Sequence, residues 1–182
     1  MPFQEMNIRG AWVHTPVRFP DTRGHFEEQF QLSLIEAELD RGFSVKQVNQ
    51  SLSQKGVIRG IHWTDSQEGQ AKYISCPNGA VWDVVIDFRK TSPTYGKWDS
   101  AFISAENGKS VLISEGLGHA FLALEDGTVA NYLCTSKYNP SADRTVNPLD
   151  ATLAIGFLKV AKEFGIEKLS MSDKDRDGES FK

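Results

Sequence analysis

Cysteine, histidine, excess positive charge and long apolar runs are all scarce in this chain. Its 182 residues contain two cysteines, Cys76 and Cys134, and no CxxC joins them. Two isolated thiols behind a leaderless N-terminus read as buried free thiols, with a disulfide as the lesser alternative. The opening MPFQEMNIRGAWVHTP has no basic segment and no apolar stretch, so no secretory signal is expected. No run approaches the ~20 apolar residues that span a bilayer. A cytoplasmic protein without membrane contact is the expectation. Lys plus Arg number 20 against 24 Asp plus Glu, a net charge of −4. That balance argues against a nucleic-acid partner. There is no GxxxxGK[ST] and no GxGxxG after a strand, which excludes a P-loop or a dinucleotide fold.

The histidines are His14, His25, His62 and His119. No HxH or HxxxH occurs, so a metal site has little support and none is expected. What the chain does have is ordinary globular composition, 40% hydrophobic and 24% charged. It has no repeat, low-complexity run or linker, and reads as one domain, residues 1–182.

Short strands dominate the pattern. Strands are expected over 11–18, 26–31, 44–49, 57–63, 72–76, 80–88, 97–104, 110–114, 119–124 and 129–135. Turn clusters such as PNG, TSPTYG, AENG and EDG separate many of them. Residues 33–41 and 158–164 read as short helices, each followed by glycine. This is an all-β plan, an antiparallel barrel or jelly roll with a few short helices. Side chains alternate along a strand. In 81–89, Trp82, Val84, Ile86 and Phe88 therefore share one face, and Val81, Asp83, Val85 and Asp87 the other. By the same rule His62 lies with Ile58 and Gly60 while Arg59 points away. Lys72 lies with Ile74 and Cys76, His119 with Phe121, and Tyr132 with Cys134. One wall lined by such groups would make a ligand cavity.

Each group has a functional and a plain reading. His62 is a general base or a satisfied core histidine. Lys72 is an oxyanion or phosphate partner, or a snorkelling edge residue. Tyr132 is a proton donor or a packed ring. Arg59, inside a strand, fits an anion clamp, whereas Arg23 sits in a turn where solvation suffices.

The segments DTRGHFEE, FSVKQVNQSLSQKGVIRGIHW, GQAKYISCPNGAVWDVVIDFRKTSPTYGKW, EGLGHAFLAL, NYLCTSKYNP and MSDKDRD follow in order. Together they resemble the dTDP-4-dehydrorhamnose 3,5-epimerase family, from about Arg9 onward. The resemblance implies a cupin-type jelly-roll barrel, no metal or other cofactor, and a dTDP-4-keto-6-deoxy sugar as substrate. It implies a homodimer that exchanges residues between subunits. It places His62 as base, Asp175 as its orienting carboxylate, Tyr132 as acid and Lys72 as the enolate stabiliser. It assigns Arg23, Gln47, Asn49 and Arg59 to the diphosphate and thymidine, and Tyr138 to stacking on thymine. Phe26 and Glu28 are further base contacts, with Arg23, Phe26 and Glu28 coming from the partner subunit. His119 contacts sugar or phosphate, Lys168 the diphosphate, and Asp143 replaces the family's usual glutamate. Asp83 is an added carboxylate partnering Lys72 or His119. The segments GIHWT and GHAFLAL resemble members from antibiotic deoxysugar pathways, some of which invert one carbon only. A dTDP-sugar 3,4-ketoisomerase, a non-catalytic nucleotide-sugar-binding barrel and a metal-dependent cupin are the alternatives.

Overall fold

The computed structural model describes residues 3–181. Thirteen strands and three short helices run in the order β1 (Phe3–Glu5), β2 (Ala11–His14), β3 (Arg18–Asp21), β4 (Gly24–Glu27), α1 (Leu32–Leu39), β5 (Gln47–Ser53), β6 (Ile58–Thr64), β7 (Lys72–Asn78), β8 (Ala80–Asp87), β9 (Trp98–Ser104), β10 (Ser110–Ile113), β11 (Leu117–Ala123), β12 (Thr128–Cys134), β13 (Asp143–Thr145), α2 (Phe157–Glu163) and α3 (Asp173–Arg176). A six-stranded sheet has the order β1-β2-β10-β7-β12-β5 and a five-stranded sheet the order β13-β6-β11-β8-β9; β3 and β4 form a separate hairpin. Every pairing between these strands is antiparallel. This is the expected all-β, cupin-type jelly roll, with one correction. Among the described residues no ladder joins the two sheets, so the barrel is not closed. Between β1 and β9 the connection is made instead by Asn7, whose backbone and side-chain nitrogens donate to Asp99 at 2.8 and 3.0 Å.

Strand β8 shows how the layers form. Its inward residues Val81 and Val85 meet Ile74, Val111 and Ala130 of the other sheet in the inter-sheet core. Its outward residues Trp82, Val84 and Ile86 are covered by Phe157, Val160 and Ala161 of α2. Burying one such side chain contributes roughly 2 kcal/mol. Asp87 closes the strand fully buried, held by Arg89, Ser92 and Thr94. Burial alone would raise its pKa, but these hydrogen bonds outweigh that and bring it to about 2. On the outer face of the six-stranded sheet, Ile35 of α1 packs with Phe43, Tyr73 and Leu112. Asp40, in the left-handed conformation, ends α1, ahead of the Gly42 expected to stop it.

Several boundaries differ from expectation. The strand expected over 11–18 breaks after His14, at Thr15 to Val17, where Pro16 can donate no ladder bond. The strand expected over 44–49 begins at Gln47 and runs to Ser53 because β12 pairs with all seven residues. Strands β1 and β13 and helix α3 were not foreseen.

Candidate active site

The inner faces of the two sheets carry the polar groups. Pairing fixes their direction, since residues directly opposite share a face. On β5, Gln47, Asn49 and Ser51 stand opposite Cys134, Tyr132 and Ala130 of β12. Lys72 precedes Ile74 and Cys76 on the inward face of β7. On β11, His119 and Phe121 face inward with Asp83 and Val85 of β8.

Strand β6 departs from simple alternation. Arg59 pairs with Phe121 and His62 with His119, so three steps on β6 match two on β11. The extra residue is a β-bulge at Gly60 and Ile61. It puts Arg59 and His62 on the same inner face, whereas strict alternation had separated them. Ile58 and Ile61 both go into the outer core. Gly60 is required here. Its φ is +110°, and an added Cβ would lie 2.4 Å from the His119 carbonyl oxygen.

Two histidine–carboxylate pairs result. His62 Nε2 is 2.6 Å from Asp175 Oδ1. Asp175 is the buried residue of α3, whose N-cap Ser172 accepts from the Asp175 amide. Burial alone would raise the Asp175 pKa, but hydrogen bonds from His62, Ser172 and the Gly60 amide outweigh it and hold it below normal. An ionised carboxylate only accepts, so Nε2 donates this bond and Nδ1 is the ring nitrogen left to meet a substrate. His119 Nε2 is 2.6 Å from Asp83 Oδ2, with both residues buried. Of the two partners weighed for Asp83, His119 is the one bonded. The second oxygen, Oδ1, has no hydrogen-bond partner among the described residues.

Lys72 and Tyr132 complete this wall. Burial lowers the Lys72 pKa, partly opposed by Cys134, Asp143 and Asp83. Burial raises that of Tyr132, so its hydroxyl holds its proton across the physiological range. The Tyr132 hydroxyl is 3.3 Å from Ser51 Oγ, and its ring meets His119 edge-on at 5.9 Å. Arg59 reaches across to the other sheet, donating from Nε to Ser53 Oγ at 3.0 Å and from Nη2 to the Leu52 carbonyl at 2.9 Å. At the mouth the Tyr138 amide donates to Gln47 Oε1 at 2.8 Å, and the Tyr138 hydroxyl donates to Asp143 Oδ2 at 3.2 Å. Lys174 is ion-paired to the same Asp143 oxygen.

His62, Lys72, Tyr132, His119, Asp83, Gln47, Asn49 and Arg59 thus project from the inner faces of the two sheets, with Asp175 of α3 bonded to His62, and Tyr138 bonded to both Gln47 and Asp143. Lys168 lies apart, exposed beside Gly56 at the start of β6. Arg23, Phe26 and Glu28 are elsewhere too. The Arg23 side chain is 88% exposed and held by Asp21, and Phe26 is 65% exposed against Phe19. Glu28 borders an open cavity with His14, Val17 and Leu34. Ser51 and Lys174 were missed by sequence reasoning. Period-2 spacing from Asn49 would have found Ser51. Both cysteines are buried and free, and His14 is bonded to the Tyr73 hydroxyl at 2.7 Å. Among the described residues, no group of three or more His, Cys, Asp or Glu could hold a metal.

A histidine and a protonated tyrosine on facing sheets of a cupin-type fold can move protons on two sides of a bound molecule, which is the chemistry of an isomerase. The chain belongs to the dTDP-4-dehydrorhamnose 3,5-epimerase family, whose sequence profile matches residues 5–182. It is 41% identical over 186 residues to the dTDP-4-dehydrorhamnose 3,5-epimerase of Mycolicibacterium smegmatis, covering 100% of this chain and 86% of that protein. The rmlC epimerase structure of Mycobacterium tuberculosis superposes with a TM-score of 0.89 at 37% identity, covering 99% of this chain and 88% of that one. ChmJ, a 3'-monoepimerase from Streptomyces bikiniensis in complex with dTDP-quinovose, has a TM-score of 0.87 at 38% identity, covering 96% and 85%.

Proposed function

We propose that this protein epimerises a dTDP-4-keto-6-deoxyhexose at carbon 3, carbon 5 or both. Hydrogens on those carbons flank the carbon-4 ketone, so their removal gives an enolate. His62 takes the proton through Nδ1, with Asp175 balancing the imidazolium charge. Lys72 stabilises the enolate oxygen. Tyr132 returns a proton from the other face. The carrying observation is that base and acid stand on facing sheets, because inversion needs removal and delivery on opposite sides of the ring. Related structures in complex with dTDP-quinovose and dTDP-4-keto-L-rhamnose support this substrate class.

Gln47, Asn49 and Arg59 hold the diphosphate and nucleoside, Tyr138 stacks on thymine with Asp143 beside it, and His119 contacts the sugar. Lys168 is the outlying diphosphate contact. Arg23, Phe26 and Glu28 act in the site of a second copy, making the enzyme a homodimer. An isolated two-stranded hairpin is marginal in water. Here it exposes Phe19 and Phe26 at 54% and 65%, which supports a partner covering it. The reading includes one domain, residues 1–182, without metal or other cofactor. A nucleotide-activated substrate and two free thiols support a cytoplasmic setting.

The test is solvent-proton exchange. In heavy water the protein should place deuterium at carbon 3 or carbon 5 of dTDP-4-keto-6-deoxyglucose, and His62→Ala should abolish it. No deuterium at either carbon with the wild-type protein would overturn the proposal. Migration of the ketone instead of inversion would point to a ketoisomerase.

A further inference from the structure

Helix α3, which carries Asp175, is four residues long. A single turn has no stability of its own, so its position depends on what holds its ends. The chain leaving α3 runs alongside β13. The Glu179 amide donates to the Thr145 carbonyl at 3.0 Å, and the Asn147 amide donates to the Glu179 carbonyl at 3.2 Å. Val146 and Glu179 form a parallel bridge. Asn147 Nδ2 donates to the carbonyl of Arg176, the residue after Asp175, at 2.8 Å. The approach is close: a Cβ added to Gly178 would lie 2.8 Å from Val146 C and Asn147 N.

Phe181 anchors the far end. Its ring centroid is 5.3 Å from that of Tyr95 and 5.9 Å from that of Phe88. Its amide donates to Asp150 Oδ2 at 3.1 Å. The other edge of β13 pairs with β6, with Thr145 directly opposite His62. Base and carboxylate are therefore tied together twice, once by their own hydrogen bond and once through β13 and this strap.

We propose that the strap Gly178–Phe181 fixes Asp175 against His62, with Asn147 and Phe181 as positioning residues. The inference rests on the reading of His62 as the base. A displacement of ~1 Å in such an arrangement can cost ~100-fold in rate.

Phe181→Ala and Asn147→Ala test it. Each should lower kcat about tenfold or more while leaving KM within about twofold and dTDP affinity unchanged. Phe181→Leu, which keeps an apolar anchor, should recover most of the rate. The hydrogen-bonded His62 imidazole proton, read by NMR, should move upfield or vanish in Phe181→Ala. Phe164→Ala, which removes the contact with Phe102 away from the strap, should leave both readings at wild-type values. Wild-type kcat with an unmoved imidazole proton in both alanine variants would overturn the inference. So would a parallel decline of kcat, dTDP affinity and melting temperature, which general loosening produces. The imidazole signal needs no turnover, so it still answers if the wild-type protein shows no epimerisation.

Discussion

His62 and His119 stand directly opposite each other on β6 and β11, and each imidazole has its own carboxylate. Asp175 and Asp83 do not exchange roles. The Asp83–His119 pair is closed off from solvent, whereas His62 keeps 35% of its side-chain exposure. The difference leaves His62 the more open imidazole of the two.

Asp175→Asn retains the shape of the contact but removes the charge that balances a protonated imidazole. Exchange at the reacting carbon should fall by about 100-fold or more, while dTDP binding measured by calorimetry stays unchanged. The variant should also lose less stability in acid. Asp175 has a folded pKa below its ordinary 3.8. Its contribution is therefore complete above that value and lost as pH falls through the lower one. Equal acid sensitivity in both proteins would contradict this.

Tyr132→Phe separates the two proton steps. Abstraction by His62 continues, and the same imidazole can return the proton to the face it came from. Deuterium should enter the substrate from heavy water while inverted product drops by about 100-fold or more. Normal inversion in this variant would remove Tyr132 from the mechanism.

Lys72→Met should cost about 100-fold in kcat and yet stabilise the fold by about 1 kcal/mol at neutral pH. Burial leaves the folded pKa of Lys72 below 10.5. The charged form is thus a stability cost below the folded pKa, and the cost fades as pH rises toward 10.5. Chemical denaturation of both proteins should show their difference narrowing at alkaline pH.

Exchange of residues between subunits predicts complementation. Arg23→Ala and His62→Ala homodimers should each be inactive. In an equal mixture half the dimers carry one variant of each kind, and one of their two sites is intact, so about a quarter of the sites recover. Mixtures with no recovered activity would place Arg23 and His62 in the same subunit's site.

Much of the site was legible because period 2 holds over the parts of β7, β8, β11 and β12 that carry its residues. Lys72, Asp83, His119 and Tyr132 each sit among apolar neighbours on the inward side, as alternation requires. Alternation failed at β6, where Gly60 admits an extra residue and His62 joins Arg59. The glycine was visible, but a bulge needs the partner strand to reveal it. Helix α3 was missed because DKDR has no apolar period, and its place is set by Ser172, His62 and β13. Strands β1 and β13, three residues each, carry too little pattern to declare themselves.

The bulge on β6 has a consequence for how this enzyme can change. The proposed anion clamp, Arg59, and the proposed base, His62, are registered by a count of backbone units. A point substitution at Arg59 or His62 alters one function at a time. A side chain at Gly60 would meet the His119 carbonyl, distort the bulge and disturb both groups together. The side chains at 59 and 62 can therefore change independently, while the glycine between them is a dependence they share.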